Sequence, residues 1–553
     1  MSAPRRRSNR GFAIYAAVLT LLLGVVTVAL TYYRAPPQTL GATEREADVF
    51  AETRTALIGH AVRQGVFQCS NPANATACNN EFAASRRLGE FPCPDTNDDG
   101  IENVSGSTCA ALIGRVPWRT LGIPRPVDRA GETLWYAVSA AWTRNSGAIN
   151  SATPGDLTVL AADGSTAAVA MAVILSPGGA LSGQTRPNNT ASNYLEDPAG
   201  TPNNSNAAGP FIAAATTGSF NDRLVYIRTS EVVPMLEMRL GNELKALLLA
   251  YKLNSKCFCY PWADSWEYSG GIGDFGVNRG RLASLASYNR TPASGSLEPE
   301  EWGTGNIPRF PPWLDDNDWH NHVFYIVGRG EANQKLGGCL TCTANTYVTI
   351  QNFTPGTAAA AILTPGTPRN ARIPPGAGCD PVGTPGKLPC RPYLPSVAAT
   401  TAGKALMNDF NLYFDDAMNR KSSCAGQDTE NATNPSDYSS SFGIGTNCDT
   451  LTRPTSQEYD RNRIFVLPRE SDLPADIVCP AAGPALFNAT PCMDPHDPDK
   501  VNDQCTRLIS VLQICSTSCR SAATQMAVVP CRNNRTAAEC PPLHVSLNNC
   551  SAP

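Results

Sequence analysis

The sequence predicts an α+β protein with an N-terminal transmembrane helix, two tandem units that each combine a helix with an antiparallel sheet, and a disulfide-rich C-terminal segment. Three observations lead to this prediction. An uncharged apolar run follows a basic N-terminus, β-branched and aromatic segments recur twice in one order, and all 20 cysteines follow the apolar run. The net charge of -4 over 553 residues indicates no nucleic-acid partner, because phosphate binding requires clustered positive charge.

The N-terminal segment has the length and charge distribution of a membrane anchor. No charged residue occurs between Phe12 and Leu30, and we assign the transmembrane helix to 12–33. About 20 apolar residues cross a bilayer, whereas the apolar core of a cleaved signal peptide has roughly 7–15. The arginines that precede the run hold the N-terminus in the cytoplasm. We therefore expect a bacterial inner-membrane location, with the bulk of the chain in the periplasm or on an extracellular fibre.

The residues at the start of the apolar run carry a family resemblance. Basic residues, then Gly11 and Phe12, then a long apolar helix resemble the leader of type IV prepilins and type II secretion pseudopilins. The resemblance implies that 1–11 is a leader, that a prepilin peptidase cuts after Gly11, and that Phe12 becomes the methylated first residue. Family members usually carry glutamate at mature position five, which here is Ala16. This departure implies an atypical subunit, and a plain membrane anchor is the alternative.

After a linker at 34–45, one order of segments occurs twice. Tyr136 lies 41 positions before Pro177, and Tyr325 lies 40 positions before Pro365, with matching strand-like segments between each pair. Several matched segments in the same order predict an internal duplication. The expected domains are a first α+β unit at 46–232, a second α+β unit at 233–473 and a Cys-rich segment at 474–553.

Landmarks of the first unit extend the resemblance. The segments "ALIG", "FPCPD", "GRVPWRTLG" and "NYLE" look like parts of large bacterial pseudopilin-like envelope proteins, strongly over 1–232 and weakly over 233–473. The resemblance implies pilin-like units and a non-catalytic minor subunit of a type IV pilus or type II secretion assembly. Its role would be tip assembly, initiation or recognition, with the inner membrane, other pilin-like subunits and prepilin peptidase as partners. No familiar catalytic motif occurs, so we expect no enzyme. The alternative is a bitopic inner-membrane-anchored periplasmic binding protein or enzyme.

The cysteines predict disulfides. An even number in the exported part of a chain is typical of bonds formed in an oxidising compartment. Zinc is the alternative, because Cys339 and Cys342 have C-x-x-C spacing, but no second pair follows at zinc-site spacing. The disulfide candidates are Cys69, Cys78, Cys93, Cys109, Cys257, Cys259, Cys339 and Cys342.

The stretch "DTNDDGIEN" is the candidate metal site. Oxygen ligands at alternate positions, followed by glycine at position six, match the first half of a calcium loop. The acid expected at position twelve is absent, because that residue is Gly106. Calcium also occurs among pseudopilins, so the resemblance implies it too; the alternative is an Asx-rich surface turn. The candidate ligands are Asp95, Asn97, Asp99, Glu102 and the carbonyl of Ile101.

Overall fold

The computed structural model describes residues 42–255, with gaps at 72–73, 146, 152 and 197–202, and a discontinuous part of the chain beyond them. The predicted leader, the transmembrane segment at 12–33 and the first part of the linker lie outside the described residues. The described residues after 255 are 258–261, 263, 279–282, 308–309, 311–317, 319, 322–328, 347–351, 356–364, 366, 450–452, 463–489, 503–526, 528, 531 and 540–551.

The first half of the molecule is a long helix followed by three sheets, of which the first is a two-stranded pair. Helix α1 begins inside the predicted linker, and Phe50, Leu57, Ile58 and Ala61 form its buried face. The elements in chain order are α1 (Ala42–Arg63), α2 (Ala75–Ala84), β1 (Val104–Ser105), β2 (Thr108–Cys109), β3 (Ile113–Arg115), α3 (Trp118–Leu121), β4 (Trp135–Val138), β5 (Leu157–Ala161), β6 (Thr166–Ala170), β7 (Ala172–Ser176), β8 (Phe211–Ala213) and β9 (Arg223–Ile227).

The second half repeats the long helix and the two larger sheets. Its elements are α4 (Thr229–Asn254), β10 (Arg279–Arg281), α5 (Trp313–Asp316), β11 (Phe324–Val327), β12 (Val348–Gln351), β13 (Thr357–Ala358), β14 (Ala360–Thr364), β15 (Thr450–Thr452) and β16 (Arg463–Leu467). The first four-stranded sheet has the order β3-β4-β7-β9, and the second has the order β10-β11-β14-β16. The first three-stranded sheet has the order β6-β5-β8, and the second has the order β13-β12-β15. The domain limits that we predicted stay a prediction.

The repeated topology extends to individual side chains. Tyr136 pairs across the sheet with Ile174, and Tyr325 pairs with Ile362 at the corresponding register position. Both tyrosines are buried, and each donates its hydroxyl to a proline carbonyl, that of Pro92 at 3.2 Å and that of Pro261 at 3.1 Å. The repeated topology therefore includes a buried hydrogen bond between an inner strand of each four-stranded sheet and the segment that follows each long helix.

The predicted fold class is wrong as stated. Each three-stranded sheet is mixed, because β5 runs parallel to β8 and β12 runs parallel to β15. Residue alternation does not encode strand direction, and the long excursion between β5 and β8 leaves enough chain for the crossover that a parallel pair needs. Among the residues that the structure describes, no helix combines the length and the apolar character needed to cross a membrane.

The two halves share one core through their long helices. Helix α1 packs against α4, and residues from both halves belong to one continuous buried cluster. Arg54 of α1 forms an ion pair with Glu231 of α4. Arg239 of α4 donates to the carbonyls of Gln64 and Gly65 at 2.6 and 2.9 Å, which caps the end of α1. The two units are thus joined by apolar packing as well as by charge.

The C-terminal segment forms a separate small helical core. It contains α6 (Ala475–Ala489), α7 (Asp503–Val511), α8 (Thr517–Met526) and α9 (Cys540–Asn548). The sequence pattern across 499–525 predicts one helical stretch, but a 3-10 turn at Leu512–Ile514 separates α7 from α8. Disulfides cross this core, as a small segment with little apolar area requires. The bonded pairs with both partners described are Cys479–Cys515, Cys519–Cys550 and Cys531–Cys540.

Candidate functional site

The predicted calcium loop is held together by Asp95. Its carboxylate is fully buried and accepts three backbone hydrogen bonds within its own loop. Oδ1 accepts the amides of Asn97 at 2.9 Å and Asp98 at 2.8 Å, and Oδ2 accepts the amide of Gly100 at 2.6 Å. This is the hydrogen-bond pattern of an Asx turn. Three of the roughly four lone-pair positions of this carboxylate are therefore taken by N–H donors of its own loop.

Among the other predicted ligands, Asn97, Asp99 and Ile101 hydrogen-bond to one another, whereas Glu102 binds residues outside the set. Asp99 accepts the amide of Ile101 at 2.7 Å and the side-chain amide of Asn97 at 3.0 Å. Glu102 forms an ion pair with Arg86 and accepts the amide of Cys93 at 3.0 Å. Within the described part of the chain, no group of three His, Cys, Asp or Glu side chains is placed to hold a metal. The calcium site stays a prediction, and the hydrogen bonds observed in the loop are those of its alternative, an Asx-rich turn.

The loop instead supports the edge of the first four-stranded sheet. Asp95 pairs with Arg115 of β3 in an isolated antiparallel bridge, with N–O distances of 3.0 and 2.6 Å. Gly100 has a φ of +84°, and its missing Cβ lets the Trp118 ring pack directly on the backbone. The Cys93–Cys109 disulfide closes the loop from the other side. The turn is thus a structural brace.

The remaining predicted residues are placed as follows. Cys69 is bonded to Cys78, Cys259 is also part of a disulfide, and no free cysteine occurs among the described residues. The others lie outside the described residues: Gly11, Phe12, Cys257, Cys339 and Cys342.

Two polar clusters of the first half carry no sequence motif. The first links α1 to the end of β7 through Glu46, which is buried. Ser176 Oγ lies 2.6 Å from Glu46 and 3.1 Å from Asp128, and its single proton serves the shorter contact. Glu46 also forms an ion pair with Arg223 at 3.0 Å, and Asp128 accepts the amide of Gly178 at 2.9 Å. This cluster fastens the first helix to the sheet.

The second cluster is a pair of buried acids, Glu196 and Asp222. Their side chains are 7% and 1% exposed. Each accepts the other's backbone amide, Asp222 Oδ2 at 2.9 Å and Glu196 Oε2 at 3.0 Å. Burial, and then the neighbouring charge of Glu196, raises the pKa of Asp222 to about 8. Perturbed acids of this kind mark places where a protein binds a proton or another ligand.

A stack of cations and rings lies beside this pair. The Arg115 guanidinium lies over the rings of both Trp135 and Tyr194, 4.3 and 4.0 Å from their centroids. Arg186 lies 4.5 Å from the Tyr194 ring and ion-pairs with Glu132 at 3.5 Å. Arginine stacks well on aromatic faces because its guanidinium is planar and weakly hydrated. The stack fixes Tyr194, and with it the turn that carries Glu196.

The buried histidine of α1 is a further group that sequence patterns did not identify. His60 is 8% exposed and its Nε2 has no hydrogen-bond partner. Burial, followed by the charges of Arg86 and Arg63, lowers the pKa of His60 to about 4. The imidazole is therefore neutral at physiological pH and contributes to packing.

The comparisons with known proteins return no match. No family model matches this chain, and no curated protein or solved structure matches it significantly. Function must therefore be inferred from the chain itself.

Proposed function

We propose that the protein is a non-catalytic minor pilin-like or pseudopilin-like subunit of a bacterial envelope assembly, of the type IV pilus or type II secretion type. The observation that carries this proposal is the junction of a basic leader with Gly11, Phe12 and an uncharged apolar run. In this proposal prepilin peptidase cuts after Gly11, and the apolar segment holds the protein at the inner membrane among other pilin-like subunits.

The character of the described polar clusters supports a packing role. In the Asp95 loop and the Glu46 cluster, the charged groups bind the chain's own backbone and side chains. Disulfides in the first unit and in the C-terminal segment suit a chain that works outside the cytoplasm. The two units share one core along α1 and α4, and in this proposal they face outward together for recognition at the tip of an assembly.

Ala16 supports a position at the tip. In the resembled family, the glutamate at mature position five meets the N-terminal amine of a neighbouring subunit. A subunit without a neighbour above it has no such amine to neutralise. Ala16 replaces that carboxylate here, so the proposed protein starts an assembly or ends it.

Mass spectrometry of the mature N-terminus tests the proposal. We expect a chain that begins with methylated Phe12 when the protein is expressed with a prepilin peptidase. The Gly11→Val variant is the matched control, because it leaves the apolar run unchanged and removes the cleavage position. A wild-type chain that keeps Met1 or its arginines in the presence of an active peptidase would contradict the proposal and favour an anchored periplasmic binding protein or enzyme.

A further inference from the structure

The acid pair Glu196–Asp222 is buried and lies outside the sites predicted from the sequence. We propose that these two side chains share one proton and form a pH-sensitive latch. The latch holds β8 and the turn at 193–196 against the first four-stranded sheet in acidic medium and releases them as the medium becomes alkaline. This inference does not depend on the proposed function.

The geometry of the pair calls for a proton. The two carboxyl groups are held close together because each accepts the other residue's backbone amide, and two carboxylate anions have no hydrogen to donate to each other. Asp222 Oδ1 is buried and has no conventional donor. An ionised oxygen in that position would lack both water and a donor, which is costly in an apolar environment. A shared proton satisfies the unpartnered oxygen and removes one of the two charges.

The charged groups around the pair have other partners. Arg186 donates to the carbonyls of Gly178, Asn193 and Tyr194 and pairs with Glu132. Arg223, next to Asp222 in the chain, pairs with Glu46. The segment 203–212 contributes an amide, Asn204, and no charge. Among the residues that the structure describes, no cation contacts either carboxyl group, so a proton is the positive charge that remains.

The pair fastens three segments together. Glu196 Oε2 accepts the amides of Asn221 and Asp222, at 2.8 and 3.0 Å, which ties the 193–196 turn to the start of β9. Asn204 donates to Asp222 Oδ2 at 3.0 Å and accepts the amide of Ile212 in β8 at 2.8 Å. Loss of the Asp222 contacts would therefore free the turn and the edge strand β8 together.

The sign of the pH effect follows from proton linkage. The pKa of Asp222 is about 8 in the closed latch, whereas an exposed aspartate has a pKa of about 4. Between these values the closed form holds a proton that the open form has lost. Stability of the closed form is complete below about pH 4 and is lost as the pH rises toward 8. The opening constant should rise about tenfold per pH unit across this window and level off above it.

Hydrogen exchange measured by mass spectrometry on the full chain tests the latch. The amides to follow are those of Glu196, Asp222 and Ile212, with rates corrected for the intrinsic pH dependence of exchange. In the wild type, we expect opening of these segments to increase about tenfold per pH unit between about pH 5 and about pH 8. Amides of β4, in the centre of the sheet, should show no such increase.

Two isosteric variants and one control distinguish the effect of the shared proton from a general loss of stability. Asp222→Asn keeps one acceptor oxygen and removes the carboxyl group that takes up the proton, so opening should become independent of pH. Glu196→Gln removes the neighbouring charge, so the window should move to lower pH, because burial alone then raises the pKa of Asp222. Asp163→Asn, at an exposed turn where the carboxylate accepts Ser165 in the same way, should keep the wild-type profile. A flat wild-type profile, or an unchanged slope in both pair variants, would overturn the proposal. Closure at about pH 8 on adding millimolar calcium chloride would overturn it as well, because the pair would then hold a cation.

Discussion

The contact between Gly241 and Phe465 offers a sharp test of how α4 packs on the second four-stranded sheet. Gly241 is buried in the middle of α4, and a Cβ built there would overlap the ring of Phe465 in β16. The ring belongs to the shared core, and protein cores are packed closely enough that a displaced ring disturbs its neighbours. Gly241→Ala should therefore be destabilising, although alanine is the better helix former.

The magnitude follows from two opposing terms. Replacing glycine by alanine in a helix interior stabilises by about 1 kcal/mol, whereas overpacking a core costs about 1–3 kcal/mol. Because the overlap involves ring carbons of a buried side chain, we take the upper end and expect a net loss of about 2 kcal/mol. Gly59→Ala in α1 is the matched control, because a Cβ there meets nothing within 4 Å. It should stabilise by about 1 kcal/mol.

Thermal unfolding of the full chain measures both variants. With about 2–4 °C per kcal/mol for a unit of this size, Gly241→Ala should lower Tm by about 4–8 °C and Gly59→Ala should raise it by about 2–4 °C. Phe465→Leu removes the ring, so the cost of Gly241→Ala should largely disappear in that background, as a double-mutant cycle detects. Equal stabilisation by both alanines would refute the packing of α4 against β16.

Two further predictions concern the repeated tyrosine and the Asp95 loop. Tyr136→Phe and Tyr325→Phe each leave a buried proline carbonyl without its donor, at Pro92 and Pro261, and each should cost about 1–2 kcal/mol in urea unfolding; a large cost in one alone would contradict equivalent ties. Asp95→Ala should cost about 3 kcal/mol or more because three amides lose their acceptor, while EDTA should leave the wild-type Tm unchanged. A fall in Tm on chelation, reversed by calcium, would show that the loop holds an ion.

The sequence allowed the elements to be predicted better than their directions. The helical spacing of Phe50, Leu57 and Ile58 marks the buried face of α1, and the apolar "WYAV" segment becomes the central strand β4. Such local patterns reflect burial, which the residue types record directly. The parallel pairing of β5 with β8 depends on how distant segments return to each other, and no local pattern encodes that. The break at Leu512–Ile514 was missed for a related reason, since the apolar spacing continues through it.

The candidate sites show the same difference between local sequence patterns and contacts that form only in the folded chain. The alternating acids of the Asp95 loop matched half of a calcium motif, but the same residues also build a turn that is closed by its own amides. The Glu196–Asp222 pair joins residues 26 positions apart, with no spacing rule that would connect them. The two acids stand out because they are buried and because no cation lies beside them among the residues that the structure describes. Both properties arise only in the folded chain.

Glu46 and Glu237 are buried acids at corresponding positions of the two long helices. Glu46 lies 17 positions before Arg63, the end of α1, and Glu237 lies 17 positions before Asn254, the end of α4. Both carboxylates are buried, and they bind Ser176 at the end of β7 and Gly366 two residues after the end of β14. Glu237 accepts the amide of Gly366 directly, at 3.1 Å, whereas Glu46 works through Ser176. Because burying a carboxylate is costly unless it is hydrogen-bonded, its presence at one position in both halves indicates a clamp between helix and sheet. The same chemistry at two sites with different neighbours argues for a requirement of the fold, and against a ligand site confined to one unit.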